Sequence, residues 1–359
     1  MKVLVLPGDG IGPEITEATL AVLRATDELL DLDLRFETAE IGLAALEAVG
    51  STLPATVTDL VRQADGTVLG PVSHYQYPSR EDGGINPSAE LRVACDLFAN
   101  IRPSRSRPGL GVLQSPMDVV IVRENTEGFY ADRNMVAGSG EFMPHQDLAL
   151  AIRKISASAS ERIARTAFEL ATRRRRRVTA VHKANVLKLT DGLFLREVRR
   201  VAADYPEVEL EELIVDATAA LLIRRPQQFD VLVTTNMFGD ILSDEASELT
   251  GSLGLGGSIN AGTDVCVAQA QHGSAPDIAG RGIANPTSLI LSAAMLLDWR
   301  GRRDGDPMLV HAGERITAAV DLAIADPAGR TADLGGTLST AAFAHRVIEA
   351  LDRTRTAVG

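Results

Sequence analysis

Residues 234–255 read TTNMFGDILSDEASELTGSLGL, and this stretch decides how the rest of the chain is interpreted. The run at 229–235 predicts a buried strand that leads into it. The stretch itself predicts a helix with Asp240 and Asp244 on one face, where two like charges cost roughly 0.2–0.5 kcal/mol. A solvated acidic face is the ordinary explanation. A bound Mg²⁺ or Mn²⁺ is the other, because carboxylate oxygens are natural ligands of these cations.

The composition restricts the class of protein. A chain of 359 residues is too long for one simple core, so two domains or two lobes are expected. The net charge of −12 argues against nucleic acid as the main partner, although five consecutive arginines stand at 173–177. We interpret that run as the solvated end of a helix before a strand, with a polyanion-binding patch as the alternative.

The cysteines and the apolar runs indicate the cellular compartment of the protein. Only Cys95 and Cys266 are present, without a CxxC or His/Cys cluster, so neither structural zinc nor a disulfide framework is expected. No apolar run reaches the roughly 18 residues of a membrane span, and the first residues turn polar too early for a signal peptide. These observations predict a soluble cytoplasmic protein.

Strand-like and helix-like segments alternate along the chain, which predicts an α/β fold. A strand at 2–6 leads into the turn PGDGIGP at 7–13 and then a helix to about residue 30. The turn lacks the GxGxxG spacing of a dinucleotide loop, which argues against a standard Rossmann fold. Farther on, helices are predicted at 87–99 and 148–172, with an excursion from the core at 131–145.

Several charged or polar residues stand where chemistry is expected. Polar groups at the carboxyl ends of predicted strands mark the ligand-binding edge of an open α/β sheet. A lysine there could act as a general base, a tyrosine could transfer a proton, and arginines could bind carboxylates through paired hydrogen bonds. Surface ion pairs and packing are the ordinary alternatives, and spacing leaves open whether the groups converge. They are Arg92, Arg102, Arg123, Tyr130, Lys183, Asp216 and Asn236.

Five stretches together resemble one enzyme family. They are PGDGIGPEI (7–15), RENTEGFY (123–130), VHKANVLKLTDGLF (181–194), VTTNMFGDILSDEASELTGSLGL (233–255) and HGSAPDIAGRGIANP (272–286). In this order, and with these gaps, they are similar to the β-decarboxylating 2-hydroxyacid dehydrogenases. That family comprises isocitrate, 3-isopropylmalate, homoisocitrate and tartrate dehydrogenases, and the resemblance spans nearly the whole chain.

The resemblance implies the isopropylmalate dehydrogenase-like fold, two α/β lobes with a cleft between them. Residues 1–97 and 252–359 would form a cofactor-binding lobe, and residues 98–251 a lobe for dimerisation, metal binding and catalysis. The excursion at about 131–146 matches a segment that forms an intersubunit clasp in this family. A homodimer with shared active sites and a small-molecule substrate is therefore expected, with neither nucleic acid nor a membrane as partner.

The resemblance also implies roles for the charged residues. Lys183 matches the general base, supplied by the partner subunit, and Tyr130 matches the proton donor to the enol. Mg²⁺ or Mn²⁺ would bind to Asp240 and Asp244 of one subunit and to Asp216 of the other. The arginines that match those binding the malate part of the substrate are Arg92, Arg102 and Arg123.

The segment from residue 272 onward matches the cofactor contacts of the family. Asp277 stands where NAD-dependent members place a carboxylate against the adenosine ribose, whereas NADP-dependent members have Lys-Tyr at 277–278, so NAD is expected. The sequence departs from the family at 269–271, where Gln-Ala-Gln replaces Glu-Pro-Val. The other residues matched to the cofactor are His272, Gly273, Ile278, Asn285 and, near the nicotinamide, Asn185.

The resemblance leaves the C3 substituent of the substrate open. Isopropylmalate enzymes have leucines at the positions of Ser88 and Ala89. Isocitrate enzymes have Ser and Asn at the positions of Asn86 and Ser88, so the two polar types are exchanged here, and homoisocitrate enzymes have an additional arginine. We expect a small, polar or unusual substituent, contacted by Asn86, Ser88 and the 73–80 loop. The alternatives are 3-isopropylmalate in a rearranged pocket, or isocitrate, homoisocitrate or tartrate. A non-catalytic regulatory subunit is disfavoured because the catalytic residues are intact.

Overall fold

The computed structural model describes residues 1–113, 115–130, 134–135 and 138–353. The expected α/β class is confirmed, because strands alternate with helices along most of this length. The chain forms two compact units. The first unit comprises Met1–Cys95, Arg107–Leu110 and Gly251–Gly359, and the second comprises Asp96–Ser106 and Gly111–Thr250.

The elements are numbered in chain order. The strands are β1 (Lys2–Leu6), β2 (Arg35–Thr38), β3 (Gly66–Leu69), β4 (Ala99–Arg105), β5 (Asp118–Glu124), β6 (Glu141–His145), β7 (Leu148–Ala151), β8 (Arg177–His182), β9 (Glu209–Ile214), β10 (Val231–Thr234), β11 (Ile259–Ala261) and β12 (Cys266–Gln269). The α-helices are α1 (Gly12–Leu30), α2 (Gly42–Val49), α3 (Ala55–Gln63), α4 (Pro87–Ala94), α5 (Ala157–Thr172), α6 (Thr190–Ala202), α7 (Val215–Arg224), α8 (Asn236–Thr250), α9 (Thr287–Asp304), α10 (Pro307–Ala325) and α11 (Thr340–Arg353).

The first unit contains the strands in the order β2-β1-β3-β12-β11. Strand β1 pairs in parallel with β2 and β3, β12 pairs in parallel with β3, and β11 runs antiparallel to β12. Every residue of β3 is buried, as are four of the five in β1. Strands β1 and β3 are therefore buried along nearly their whole length, as expected for parallel strands covered by helices.

The second unit contains the strands in the order β4-β5-β10-β8-β9. Strands β5, β10, β8 and β9 are parallel, and β4 runs antiparallel to β5. The period-two alternation of β5 divides its side chains between two cores. Val120 and Val122 pack with Phe168 of α5, whereas Val119 and Ile121 pack with Leu242 of α8. Helices therefore cover both faces of this sheet.

The strand register brings several chemically important residues to one edge of the second unit. Thr234 of β10 lies beside Arg123 of β5 and Val181 of β8. His182, at the end of β8, lies beside Ile214 at the end of β9. Lys183, Asp216 and Asn236 follow within two residues of these strand ends, so the carboxyl edge of the parallel strands is rich in functional side chains.

Two expected helices were too long. The helix predicted at 87–99 ends at Ala94, Asp96 has φ of 47°, and residues 99–105 form β4 instead. The helix predicted at 148–172 begins at Ala157, where Ser156 accepts a hydrogen bond from the Ala159 amide at 3.2 Å. Residues 148–151 form β7, because pairing with a neighbouring strand overrides local helix propensity.

The excursion predicted near 131–146 contains part of a two-stranded ribbon. Strand β6 pairs antiparallel with β7, and the apolar side chains of Phe142, Met143, Leu148 and Leu150 are exposed on it. Residues 131–133 and 136–137 of the expected clasp lie outside the described residues. The role of this ribbon between subunits stays a prediction.

The arginine run at 173–177 follows α5 and pairs with carboxylates at the amino ends of the strands. Arg174 Nε donates to Asp230 Oδ1 at 2.7 Å, and Arg174 Nη2 donates to Asp118 Oδ1 at 2.9 Å. Arg177 pairs with Glu209 at 3.0 Å. Asp118 begins β5, Glu209 begins β9 and Asp230 directly precedes β10. The run thus neutralises acidic residues of its own unit, which explains it without a nucleic acid.

Among the described helices, none has the length and the apolar character that are needed to cross a bilayer.

The structure predicts that Asp230→Ala destabilises the protein. Asp230 is 1% exposed and accepts hydrogen bonds from Arg174 and from the Arg175 amide, so its removal leaves buried donors unpaired. We expect a loss of about 3 kcal/mol in the free energy of unfolding, measured by urea denaturation. Glu209→Ala, which breaks an exposed pair with Arg177, should cost about 1 kcal/mol or less. Equal losses for the two variants would contradict this account.

Candidate active site

The helix α8 carries a cluster of charges in the second unit. Asp240 accepts a short hydrogen bond from Arg123, which comes from β5. Arg102 of β4 places Nη1 at 3.3 Å from Asp240 Oδ1 and at 3.1 Å from Asp244 Oδ1. The same nitrogen donates to Ser243 Oγ at 2.8 Å. Two of the three predicted substrate arginines therefore meet the two predicted metal ligands of this chain.

The guanidinium of Arg123 is held from a second side by Asn236. The Oδ1 atom of Asn236 accepts from Arg123 Nε at 2.9 Å and from Nη2 at 2.6 Å, and its Nδ2 donates to the Glu127 carbonyl at 2.9 Å. Tyr130 donates a short hydrogen bond to Asp240 Oδ2, and its ring lies 5.2 Å from the Arg123 guanidinium carbon. The sequence marked Asn236 only by its place after a strand, so its partner could not be foreseen.

The charges of this cluster balance one another, and one of its carboxylates is open to solvent. Burial lowers the pKa of the Arg102 guanidinium, neighbouring Arg123 adds to the effect, and the two aspartates oppose it. Burial also raises the pKa of the Asp244 carboxyl, and Arg102 opposes that shift. Two guanidinium groups and two carboxylates sum to no net charge, and the Asp244 side chain is 52% exposed. Its oxygens can therefore reach a ligand from solvent.

Lys183 and Asp216 form a separate pair. Lys183 directly follows β8, and its Nζ donates a short hydrogen bond to Asp216 in the first turn of α7. This bond lowers the pKa of the Asp216 carboxyl. Across the described residues, no three His, Cys, Asp or Glu side chains are grouped so as to hold a metal ion. Asp216 is thus not brought to Asp240 and Asp244 in one chain, and its supply to a partner's site stays a prediction. Asn185 is exposed in the turn after Lys183.

Two glutamates that sequence reasoning passed over hold the loop before Tyr130. Glu124 accepts from the Thr126 amide at 2.7 Å and from the Glu127 amide at 2.8 Å. Glu127 in turn accepts from the Ser156 amide at 2.7 Å and from Ser156 Oγ at 2.6 Å. Burial raises the pKa of the Glu124 carboxyl. The signal that could have found them was two glutamates three residues apart at the end of the apolar run of β5.

In the first unit, residues 272–285 form the predicted nucleotide segment. The Nε2 atom of His272 is buried and has no hydrogen-bond partner among the described residues, and burial lowers the pKa of its imidazole. A buried nitrogen without a partner fits contact with a polar ligand such as an adenine ring. In contrast to His272 Nε2, both polar atoms of the Asn285 side chain have partners within the protein. Its Nδ2 donates to Asp333 at 2.9 Å, and its Oδ1 accepts from the Thr287 amide at 3.0 Å.

The remaining predicted cofactor residues lie on the exposed part of this segment. Gly273 and Asp277 are exposed, and the Ile278 amide donates to the Ala275 carbonyl at 3.1 Å in a turn. The carboxylate of Asp277 can therefore meet a ligand in solvent.

The turn PGDGIGP packs against the nucleotide segment. The Ile11 amide donates to the Ser274 carbonyl at 2.8 Å. Gly10 has φ of 60°, and a Cβ atom on it would lie 2.1 Å from the Ser274 oxygen, so only glycine fits there. The glycines of this turn are thus needed for close backbone packing.

Asp9 joins this turn to two other segments. Its buried carboxylate accepts from the Leu43 amide of α2 at 2.7 Å and from the Ser73 amide at 2.8 Å. It also accepts a short hydrogen bond from Tyr77, whose pKa is raised by burial and by this bond. The expected specificity loop at 73–80 is therefore anchored to the turn that precedes α1.

The predicted C3-substituent residues lie at the start of α4. Asn86 caps this helix by accepting from the Ala89 amide at 3.2 Å. Ser88 Oγ donates to Gln269 Oε1 at 2.9 Å. Arg92 lies one turn farther along the same helix face as Ser88. Gln269, one of the departures from the family pattern, is therefore a direct neighbour of a predicted substrate residue.

Comparisons with known proteins show which family this chain resembles. A family model described as isocitrate/isopropylmalate dehydrogenase matches residues 2–351. An isocitrate/homoisocitrate dehydrogenase from Thermus thermophilus is 44% identical over 352 residues, which cover 98% of each chain. A 3-isopropylmalate dehydrogenase from Methanothermobacter thermautotrophicus is 42% identical over 353 residues, 98% of this chain and 99% of the relative.

A solved structure gives the same result at the level of the fold. The crystal structure of an isocitrate dehydrogenase from Methylococcus capsulatus aligns with a TM-score of 0.85 and 41% sequence identity. The alignment covers 98% of this chain and 99% of that chain.

The site geometry predicts a strong effect of Asn236→Ala. Asn236 is fully buried, and its loss leaves two nitrogens of the Arg123 guanidinium without their acceptor. We expect a decrease of roughly 2–4 kcal/mol in the free energy of unfolding, measured by urea denaturation. The exposed Asn185→Ala serves as the matched control and should change it by about 0.5 kcal/mol or less. Similar values for the two variants would refute the anchoring role of Asn236.

Proposed function

We propose that this chain, which belongs to the isocitrate/isopropylmalate dehydrogenase family, oxidises and decarboxylates a 3-substituted malate to a 2-oxo acid and CO₂, with NAD and a divalent cation. The chain is a dehydrogenase of this family, and the substrate and cofactors are the proposal. The observation that carries it is the cluster of two arginines, two aspartates and a tyrosine around α8. An acidic pair without a ligand would not need two buried guanidinium groups beside it.

The charges of the cluster fit a metal and an anionic substrate together. The two arginines and two aspartates cancel, so a divalent cation would leave two positive charges. A malate unit with two ionised carboxylates restores neutrality, and guanidinium groups are suited to binding carboxylates. The cluster therefore supports a dicarboxylate in the presence of metal.

Asp240 and Asp244 would hold Mg²⁺ or Mn²⁺, with Asp216 of a second subunit as the proposed third ligand. Hard carboxylate oxygens on adjacent turns of one helix face suit these cations. When bound, the cation supplies Lewis-acid stabilisation of negative charge on the C2 oxygen. Tyr130 and the arginines donate hydrogen bonds to these carboxylate oxygens and would have to rearrange to admit the ion.

Two side chains are proposed to move protons. Lys183, with Asp216 as its hydrogen-bond partner, would accept the proton of the C2 hydroxyl, and NAD when bound would supply the hydride acceptor for C2. The resulting 2-oxo acid carries a carboxylate β to its carbonyl and loses it as CO₂, which leaves an enolate. Tyr130, whose hydroxyl hydrogen-bonds Asp240 in the structure, then gives its proton to C3.

We propose the first unit for NAD binding and the second for metal binding, catalysis and dimerisation. The exposed carboxylate of Asp277 can accept from both hydroxyls of the adenosine ribose and would repel a 2′-phosphate, which supports NAD over NADP. The unpartnered His272 nitrogen supports an adenine contact.

A homodimer with shared active sites is part of the proposal. Within one chain Asp216 pairs with Lys183 and not with the α8 cluster, which supports the supply of both residues to a partner. The exposed apolar side chains of the β6–β7 ribbon support association, because contiguous apolar surface usually marks an interface.

The C3 substituent is proposed to be small or polar. Ser88 and Gln269 present polar atoms at the start of α4, where an alkyl group would find little apolar surface. Asn86 is committed through its oxygen to the helix cap, so only its amide nitrogen remains for a ligand. Substituted malates with an isopropyl group remain the second candidate.

Turnover of a substrate panel tests the proposal. We expect NADH formation from at least one of malate, tartrate, isocitrate, homoisocitrate and 3-isopropylmalate with Mn²⁺, and a lower kcat/KM with NADP. Chelation by EDTA should abolish the reaction, and added Mn²⁺ should restore it, because the C2 oxygen needs a charge partner. Absence of turnover across the panel, with Mn²⁺ still bound, would refute the enzyme function.

Replacing the proposed base should separate chemistry from binding. Lys183→Ala should lower kcat by about 10²–10⁴-fold, the usual contribution of a positioned acid or base. NAD binding, measured by calorimetry, should be unchanged, because the proposed NAD residues His272 and Asp277 lie in the other unit. Lys188→Ala, at an exposed lysine five residues away, is the control and should be fully active. A fully active Lys183→Ala would remove Lys183 from the mechanism.

A further inference from the structure

Asp191 is a fully buried carboxylate beside the proposed base. It lies in the first turn of α6 and is 0% exposed. Its Oδ2 accepts the backbone N–H of Lys183 at 2.5 Å, and its Oδ1 accepts from Arg153 Nη1 at 2.5 Å. The Lys183 carbonyl accepts from the Val186 and Leu187 amides at 3.0 and 2.8 Å. Both backbone polar groups of Lys183 are thereby held by hydrogen bonds, and its side chain extends from this fixed backbone to Asp216.

Arg153 extends this connection to two other segments. Besides Asp191, its guanidinium donates to Thr190 Oγ1 at 2.7 Å and to Thr235 Oγ1 at 3.1 Å. Thr235 directly precedes α8, the helix of the proposed metal ligands.

The same guanidinium also lies against two aromatic rings. The centre of the Phe129 ring is 5.3 Å from its central carbon, and that of Phe238 is 5.5 Å away. Phe129 is adjacent to Tyr130, and Phe238 lies in the first turn of α8. One buried cation therefore contacts the segments that carry the proposed base, the proposed acid and the metal ligands.

Stability alone does not explain this buried pair. Desolvation of two buried charges offsets much of their attraction, and well-packed apolar residues are often equally stabilising in such a place. The Arg153 side chain is 6% exposed and that of Asp191 is 0% exposed, so the full desolvation cost applies. An apolar pair could not accept the Lys183 N–H. The charged pair therefore differs from an apolar pair because Asp191 supplies a hydrogen-bond acceptor for this N–H.

We propose that Asp191 is a positioning residue, which holds the backbone of Lys183 in register for proton transfer, with Arg153 keeping its carboxylate in place. The inference rests on the proposed function, since it assigns Lys183 as the base. Displacement of a reacting group by about 1 Å can lower the rate by about 10²-fold, so a misplaced lysine backbone should be visible in kcat.

Three variants test the proposal, each measured on the best substrate of the panel with Mn²⁺. Asp191→Asn keeps an oxygen for the Lys183 N–H but leaves the Arg153 charge unpaired. The double variant Asp191→Leu with Arg153→Met removes both charges and the acceptor, and should restore much of the stability. Asp230→Ala removes another buried carboxylate of this unit, which pairs with Arg174 far along the sequence from Lys183, and controls for destabilisation. For each we would measure kcat, KM, the urea midpoint and the deuterium isotope effect from C2-labelled substrate.

The two explanations predict opposite orders of activity. If Asp191 positions Lys183, Asp191→Asn should be less stable than the double variant yet faster. The double variant should lose about 10- to 100-fold in kcat, with KM nearly unchanged and an isotope effect at least as large as that of the wild type. Asp230→Ala should retain the wild-type kcat and isotope effect at a temperature where it is folded.

If the pair is only structural, activity should follow stability, and the double variant should recover both. That result, or a fully active double variant, would overturn the positioning role while leaving the proposed function intact. A wild-type protein that turns over no member of the substrate panel would instead refute the proposed function, and the inference with it.

Discussion

A buried positive charge at the end of a strand sets the geometry of the second unit. The Arg123 side chain is 1% exposed, so its guanidinium must be matched by acceptors within the protein. Asn236 and Asp240 supply them, and both lie in the first turns of α8. The start and rotation of that helix are therefore constrained by Arg123. Tyr130 lies against the same guanidinium and donates to the same carboxylate, so the proposed acid, the arginine and the acidic pair form one connected cluster.

The other residues of the proposed active site are also held through their neighbours. Asp191 holds the backbone of Lys183, and Glu124 and Glu127 hold the loop before Tyr130. These supports come from segments far apart in the chain and meet because β5, β8, β9 and β10 end at one edge of their sheet. The parallel sheet thus brings these strand ends, and the side chains that follow them, to the same edge of the unit.

In the first unit, too, a buried charged residue connects segments that are distant in the sequence. There a buried carboxylate, Asp9, binds the amide of Leu43, the amide of Ser73 and the hydroxyl of Tyr77. Gly10 allows the neighbouring backbone to reach the Ser274 carbonyl. The glycine-rich turn therefore organises the loops around it by close packing, although its glycine spacing is not that of a dinucleotide loop.

The sequence by itself determined the α/β class, the helix with Asp240 and Asp244 on one face, and the family resemblance, because these depend on local periodicity and on contiguous motifs. It also marked Arg123, Lys183, Asp216 and Asn236 as polar residues at the carboxyl ends of strands. Only the tertiary structure decided that residues 99–105 form a strand beside β5 and that Arg174 pairs with Asp118 and Asp230. The same holds for the acceptors of Arg123 and for the Arg153–Asp191 pair. Such partners lie tens of residues apart, and the strand register that joins them is set by long-range pairing and burial, which no local pattern encodes.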